Sequence, residues 1–232
     1  MKTYRVSALA SAALRMWRGW SVVVPVVVVN AVGQGALVAP AIALEPSVGL
    51  ALALACSSVL LVFSFGLLAS AALHMPDGRV GWGIAWGGLR QRLLPFLLWA
   101  LGLLVVVSIG LAVNLLVAVL IVCLTAFLQL AVLDGRSNPL WVNLRTIGLR
   151  FGRWLVTGVV VLVLGVLGVA VMGVTQFFLR GWLGAGVSWL VGGLLIAWLV
   201  TAWALLYRSA WAEPDPEADR VMDADETAPD LA

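Results

Sequence analysis

Asp134–Thr175, with the sequence DGRSNPLWVNLRTIGLRFGRWLVTGVVVLVLGVLGVAVMGVT, is the stretch that decides the fold of this chain. It opens with a polar turn at Asp134-Gly135-Arg136, continues through a basic amphipathic segment, and enters an apolar run from Trp154 to Val174. A run of this length can cross the hydrocarbon core of a bilayer as a helix, and basic amphipathic helices are typical of the bilayer interface. The stretch therefore predicts an interfacial helix that feeds a membrane-spanning helix.

The composition places the whole chain in the same class. Of its 232 residues, 63% are hydrophobic and only 11% are charged, and the mean hydropathy is +1.09. Soluble domains carry roughly 25% charged residues. A chain this apolar cannot cover itself with polar surface in water, so the sequence predicts an all-α, polytopic membrane protein.

Apolar runs predict six transmembrane helices, at about 20–38, 48–73, 93–112, 115–133, 154–174 and 187–207. The third and fourth come from one stretch, Leu93–Leu133, which carries no charge over 41 residues. A straight helix of that length would be about 60 Å long, roughly twice the hydrocarbon thickness, so the stretch has to fold back. Asn114 marks the predicted turn of this hairpin.

Three basic segments are predicted to be interfacial amphipathic helices, at 3–18, 79–92 and 138–153. In the third, polar residues spaced by three, four and three positions share one helical face, namely Asn143, Thr146, Arg150 and Arg153. Each segment precedes two spans, which predicts a membrane domain, 1–210, built as three repeats of an interfacial helix plus a helical hairpin. The alternative is chance similarity, since Leu, Ala, Gly and Arg are common in such chains.

The charges predict the orientation. With six spans, both termini and the loops 74–92 and 134–153 share one side, which holds thirteen of the fourteen Lys and Arg residues. Because positively charged loops stay in the cytoplasm, we expect both termini on the cytoplasmic side of a bacterial cytoplasmic membrane. Residues 211–232 are predicted to be a disordered acidic tail, since 213–232 hold eight of the eleven acids.

The N-terminal region allows a second interpretation. Its basic start, its apolar run and the small residues of Ala39-Pro40-Ala41-Ile42-Ala43 also resemble a cleavable signal peptide, which would leave a mature chain starting near Leu44. We favour a retained span, because cleavage would break the threefold organisation.

Three short motifs carry a resemblance to a known family. Ala131-Val132-Leu133-Asp134-Gly135-Arg136, followed by Leu149-Arg150-Phe151-Gly152-Arg153-Trp154-Leu155, is similar to a pattern in the membrane domain associated with glycerophosphoryl diester phosphodiesterases and its stand-alone bacterial relatives. Leu205-Leu206-Tyr207-Arg208 also resembles the end of that domain, although Ser209 and Ala210 stand where the family has an acidic residue and a second arginine. The resemblance implies a six-helix fold and no activity, since the phosphodiesterase chemistry belongs to a separate soluble domain.

The residue types argue against an enzyme. The six predicted spans contain no Asp, Glu, Lys or Arg, which are the groups that proton relays and intramembrane hydrolases use. There is no phosphate-binding loop and no paired carboxylates, and the single histidine, His74, has no second metal ligand near it in sequence. Cys56 and Cys123 lie within apolar runs, so we expect no catalysis, no cofactor and no metal site.

Uncharged polar residues within the spans are the first candidate site, and they comprise Asn30, Gln34, Thr125, Gln129 and Thr201. We favour hydrogen bonds between helices as their role, with the lining of a path for a neutral solute or lipid as the alternative. Gln129 is the most informative of them, because it lies deep in the fourth span and needs a partner.

Basic residues near the span ends are the second candidate site, as contacts for lipid head groups or for a partner protein; they are Arg15, Arg18, Arg90, Arg92, Arg150 and Arg153. The sequence pI of about 9.4 favours anionic lipid head groups as partners over nucleic acid. We expect a non-enzymatic membrane subunit or scaffold that packs with a membrane partner or with a second copy. The alternative is a transporter or lipid-handling protein for a neutral or amphiphilic substrate.

Overall fold

A computed structural model describes residues 11–38, 47–179 and 181–211 of the chain. These residues are helical apart from short turns, and no strand occurs among them. Six of the helices are long and apolar enough to cross a membrane, which confirms the predicted all-α fold with six spans. The first ten residues, residues 39–46 with the cleavage site of the signal-peptide alternative, Arg180, and residues 212–232 of the predicted acidic tail lie outside the described residues.

Nine α-helices follow a helical stretch at 11–16 in the described part of the chain. They are α1 (Trp20–Val38), α2 (Val48–His74), α3 (Trp82–Gln91), α4 (Leu93–Val113), α5 (Leu115–Leu124), α6 (Leu128–Leu133), α7 (Pro139–Leu149), α8 (Phe151–Phe178) and α9 (Trp182–Trp211). The fourth predicted span thus consists of two helices, α5 and α6. The sixth span, α9, begins at Trp182 rather than near Val187. It directly follows Gly181, whose positive φ of 71° suits a turn and favours glycine.

The hairpin between the third and fourth spans turns at Asn114, as predicted. The carbonyl of Gly110 accepts the Asn114 N–H at 2.9 Å, and the Asn114 side-chain oxygen caps α5 by accepting the Leu116 N–H at 2.8 Å. The two helices approach closely, since a Cβ at Gly110 would lie 2.6 Å from the side chain of Ile121. Asparagine is a favoured helix N-cap, so this single residue both ends α4 and starts α5.

The first and last spans, α1 and α9, form the most extensive helix pair of the bundle. Val22, Val23 and Val27 of α1 are at most 2% exposed, and they pack in a core that includes Met75 and Ala197. Backbone approach depends on small residues, because a Cβ at Gly193 would come within 2.8 Å of Val27. Removal of α1 by a signal peptidase would therefore open the core.

The short helix α7 has an orientation that the sequence pattern did not predict. An interfacial helix keeps its polar face toward water, but α7 buries Asn143 and Thr146 together with Val142 and Ile147 inside the bundle. The exposed face of α7 is mainly apolar, with Arg145 as its charged residue; the apolar side chains are Leu140, Trp141, Leu144 and Leu149. The polar face of α7 thus serves the interior of the protein. The hydroxyl of Thr146 donates to the Val142 carbonyl at 2.7 Å and accepts the indole N–H of Trp211 at 2.8 Å, and Asn143 makes hydrogen bonds described below.

Candidate functional site

A half-open cleft of about 270 Å³ lies among the spanning helices, bounded by α1, α2, α4, the α5–α6 segment and α9. Its lining is almost wholly aliphatic and aromatic, with residues such as Leu61, Phe65, Leu104 and Trp203. The exceptions are Asn30, Ser64, Thr125 and Gln129. The cleft therefore combines a large apolar surface with a few uncharged polar groups, which is the usual character of a small-molecule site.

Two amide side chains on this cleft have buried polar atoms without hydrogen-bond partners in the described part of the chain. Gln129 is 3% exposed, and neither its Oε1 nor its Nε2 has a partner within the described part of the chain. Asn30 is 4% exposed, and its Oδ1 is likewise unpartnered there. An unsatisfied buried polar group costs about 1–3 kcal/mol, and hydrocarbon around the protein offers no water to relieve it. The partner that Gln129 requires is thus one that the described chain does not supply.

A break in the fourth span positions Gln129. The helix stops at Leu124 and resumes at Leu128, and both Thr125 and Ala126 of the intervening turn line the cleft. Non-helical backbone at membrane depth is tolerated only where its polar groups find partners in the protein or in a cavity. Gln129 is the second residue of the short α6, so its amide lies directly beside this discontinuity.

Side chains from α7 and α8 satisfy the backbone of the break. The amide nitrogen of Asn143 donates to the Leu124 carbonyl at 2.7 Å, and its oxygen accepts the Phe127 N–H at 3.0 Å. The indole N–H of Trp154 donates to the Cys123 carbonyl at 2.8 Å. Sequence reasoning missed this arrangement, because the turn Thr125-Ala126-Phe127 contains no Gly or Pro that would predict a break.

The other three polar residues predicted within the spans, Gln34, Thr125 and Thr201, have partners in the protein. Gln34 and Ser57 pair between α1 and α2: the Ser57 hydroxyl donates to Gln34 Oε1 at 2.8 Å, and Gln34 Nε2 donates to the Ser57 carbonyl at 3.3 Å. The hydroxyl of Thr201 donates to the Ala197 carbonyl at 2.8 Å, and that of Thr125 donates to the Ile121 carbonyl at 2.7 Å. Of the five predicted residues, only Asn30, Thr125 and Gln129 line the cleft.

A second cavity, of about 790 Å³, lies at one end of the bundle and is called the basic cavity here. The charged residues lining it are Arg15, Asp77, Asp134, Arg136, Arg153 and Arg208. Two of the six predicted arginines, Arg15 and Arg153, therefore meet here. The other four predicted arginines lie elsewhere. Arg150 donates to the Ser209 carbonyl, and Arg18 and Arg90 are exposed. The Arg92 guanidinium packs against Gly135, whose φ is 77°.

The end of α9 is tied to the loops around the basic cavity. The hydroxyl of Tyr207 donates to Asp134 at 2.8 Å, and Arg136 donates to the same carboxylate at 2.7 Å. This hydrogen bond with Asp134 raises the pKa of Arg136 above its usual range. Arg208 binds Asp77 at 2.5 Å and the Leu73 carbonyl at 2.9 Å. Both carboxylates of the cavity are thus paired with an arginine.

The chemistry available in the intramembrane cleft is that of binding. No titratable side chain is among the described residues that line it, so they offer hydrogen bonds and apolar contacts. No group of three or more His, Cys, Asp or Glu residues that could hold a metal occurs in the described ranges. Comparison of the chain with protein-family models, with curated proteins and with solved structures finds no match.

Proposed function

We propose that this protein binds a neutral or amphiphilic molecule in its intramembrane cleft and acts as a transporter or lipid-handling protein. The observation that carries the proposal is the presence of three unpartnered amide atoms, Asn30 Oδ1 and both amide atoms of Gln129, on one largely apolar cleft. A ligand bearing a hydroxyl, ester or amide group would supply the missing hydrogen bonds, while its apolar part would contact the aliphatic walls.

The ligand should be uncharged where it enters the cleft. Moving an ion from water into an apolar site costs several kcal/mol unless an opposite charge receives it, and the described lining residues provide none. A volume of about 270 Å³ is just below the usual range for binding sites of drug-sized molecules, which is about 300–1,000 Å³. The cleft would therefore hold the polar end of an amphiphile, and the open side would let its chain extend into the bilayer.

Analysis of bound lipid tests the proposal. The full chain is purified gently, and its bound small molecules are extracted and identified by mass spectrometry, in parallel with Gln129→Leu and Asn30→Leu. We expect a neutral amphiphile at close to one molecule per chain. In each variant the affinity for this molecule should fall by about tenfold, which corresponds to the loss of one hydrogen bond. Retention of the same molecule by both variants would show that the amides do not bind it.

A matched control separates ligand binding from the general effect of removing a buried polar group. Ser188 is 7% exposed, and its hydroxyl has no partner within the described residues, but it does not line the cleft. Ser188→Ala should therefore leave the bound molecule unchanged. A cleft that holds only water is the rival outcome, since water can also satisfy unpartnered amides; in that case no stoichiometric molecule is recovered from any variant.

A non-enzymatic subunit or scaffold is the second candidate function. The observation that favours it is the exposed face of the α4–α5 hairpin, which is available to a helix of a membrane partner or of a second copy; it includes Leu98, Leu101, Val105, Ile109 and Leu120. Lipid chains would cover the same face in a protein that works alone. A stoichiometric membrane protein in the gentle purification, with an empty cleft, would favour this candidate over ligand binding.

We place the protein in a bacterial cytoplasmic membrane with both termini in the cytoplasm. The meeting of Arg15, Arg136, Arg153 and Arg208 at one end of the bundle supports this orientation, because basic residues concentrate on the cytoplasmic side. The threefold organisation is part of the same proposal, and the order of short helix and hairpin around α3 and α7 supports it. The resemblance to the membrane domain associated with phosphodiesterases adds the expectation that the chain has no activity of its own.

A further inference from the structure

We propose that the basic cavity is a binding site for the head-group phosphate of an anionic membrane phospholipid, held between Arg15 and Arg153. This site is separate from the intramembrane cleft and does not depend on what the cleft binds.

The cavity is built by five separate parts of the chain. Its walls come from the helical stretch at 11–16, the end of α2 with the following turn, the end of α6 with the turn at Asp134, the first turns of α8, and the last turns of α9. Arg15 and Arg153, which are distant in sequence, therefore contribute to one concave surface. A concave site strengthens electrostatic binding, because its walls exclude part of the solvent that would screen the charges.

The charges within the cavity leave two guanidinium groups without a counter-ion. Asp134 binds Arg136 and Tyr207, and Asp77 binds Arg208. Neither Arg15 nor Arg153 has a side-chain hydrogen bond or ion pair in the ranges 11–38, 47–179 and 181–211. Two unpaired guanidinium groups attract an anionic phosphate and suit its geometry, since each can donate two parallel hydrogen bonds to its oxygens.

The apolar part of the lining favours a lipid over a soluble phosphate. The cavity also contains Leu73, Pro76, Leu133, Leu206 and Trp211, which offer nothing to a free anion but can contact a glycerol backbone and the upper acyl chains. The cavity lies at the ends of spanning helices, which is the level of the lipid head groups. An anionic phospholipid is the ligand whose two parts match both kinds of lining.

Native mass spectrometry of the full chain tests this site. The purified protein is titrated with phosphatidylglycerol and, separately, with phosphatidylcholine carrying the same acyl chains. The test variant is Arg15→Gln combined with Arg153→Gln. The control is Arg79→Gln combined with Arg145→Gln, which removes the same charge from two exposed arginines that do not line the cavity.

We expect the unaltered protein and the control to prefer phosphatidylglycerol by about tenfold or more, and the test variant to lose this preference. If the double test variant does not fold, Arg15→Gln and Arg153→Gln are measured singly, and each should lose part of the preference. An equal loss in the control would show that only the overall positive charge matters, and the proposal would be wrong.

Two further outcomes would also overturn the proposal. Competition by millimolar inorganic phosphate against the lipid would identify a soluble anion as the ligand. The acidic segment 213–232 starts two residues after Trp211 and is the other anionic candidate. If phosphatidylglycerol binds only after this segment has been deleted, the occupant of the cavity is the tail and not a lipid.

Discussion

The side-chain oxygen of Asn143 accepts the backbone N–H of Phe127 at 3.0 Å, across 16 positions of sequence. The same amide donates to the Leu124 carbonyl. One side chain thus supplies a partner for a backbone N–H and for a backbone carbonyl at the break in the fourth span. Because Asn143 is only 2% exposed, water cannot take over either role. Asn143 thus fixes the shape of the wall that carries Gln129.

Asn143→Leu should destabilise the protein by about 2–5 kcal/mol, because it leaves a buried N–H and a buried carbonyl without partners. Unfolding is measured in detergent by the loss of helical circular dichroism. Asn138→Ala is the control on the same helix. Asn138 is an exposed N-cap that accepts the Trp141 N–H at 3.1 Å, and its loss should cost about 1 kcal/mol. Equal effects of the two substitutions would contradict a special role for Asn143.

Gln129→Leu should stabilise the empty protein by about 1–3 kcal/mol, since it removes a buried amide that has no described partner and keeps a similar volume. Gln34→Leu is the matched comparison at another buried glutamine. It should destabilise the protein by about 1 kcal/mol, because it breaks the pair with Ser57. Denaturant titration of lipid-stripped protein measures the free energy of unfolding of both variants. A destabilising Gln129→Leu would show that the amide has a hydrogen-bond partner in the folded chain.

Tyr207→Phe should cost about 1.5–3 kcal/mol, because it removes a hydrogen bond to the charged carboxylate of Asp134. A double-mutant cycle with Asp134→Ala measures the coupling between the two residues. We expect a coupling free energy of at least about 1 kcal/mol. Additive effects, with no coupling, would mean that this contact does not hold the end of α9.

A reporter fused after Leu133 should behave as cytoplasmic, and one inserted at Glu45 should behave as external. The reverse pattern at either site would be incompatible with the proposed orientation.

The intact mass of the purified protein addresses the signal-peptide alternative. Because α1 forms part of the core, we expect the mass to include it, and a mature chain starting near Leu44 would contradict this.

Composition and apolar run length were sufficient to predict the six spans, and the excess length of Leu93–Leu133 together with Asn114 predicted the hairpin turn. The break after Leu124 could not be predicted, because its stabilising contacts come from Asn143 and Trp154, which are distant in sequence. The pattern of α7 defined a polar face, but in a membrane protein such a face can serve either water or the interior. Only the packing of the helix distinguishes the two cases.

The pairing of α1 with α9 has a consequence for biosynthesis. The ribosome makes α1 long before α9, so the valines of α1 stay exposed to lipid or to the insertion machinery until α9 has been inserted. The hydrogen bonds from Tyr207 to Asp134 and from Arg208 to the Leu73 carbonyl also form only at this stage. The core shared by α1 and α9 can therefore form only after α9 has been made, and nascent chains halted before Trp182 should be substrates for membrane quality control.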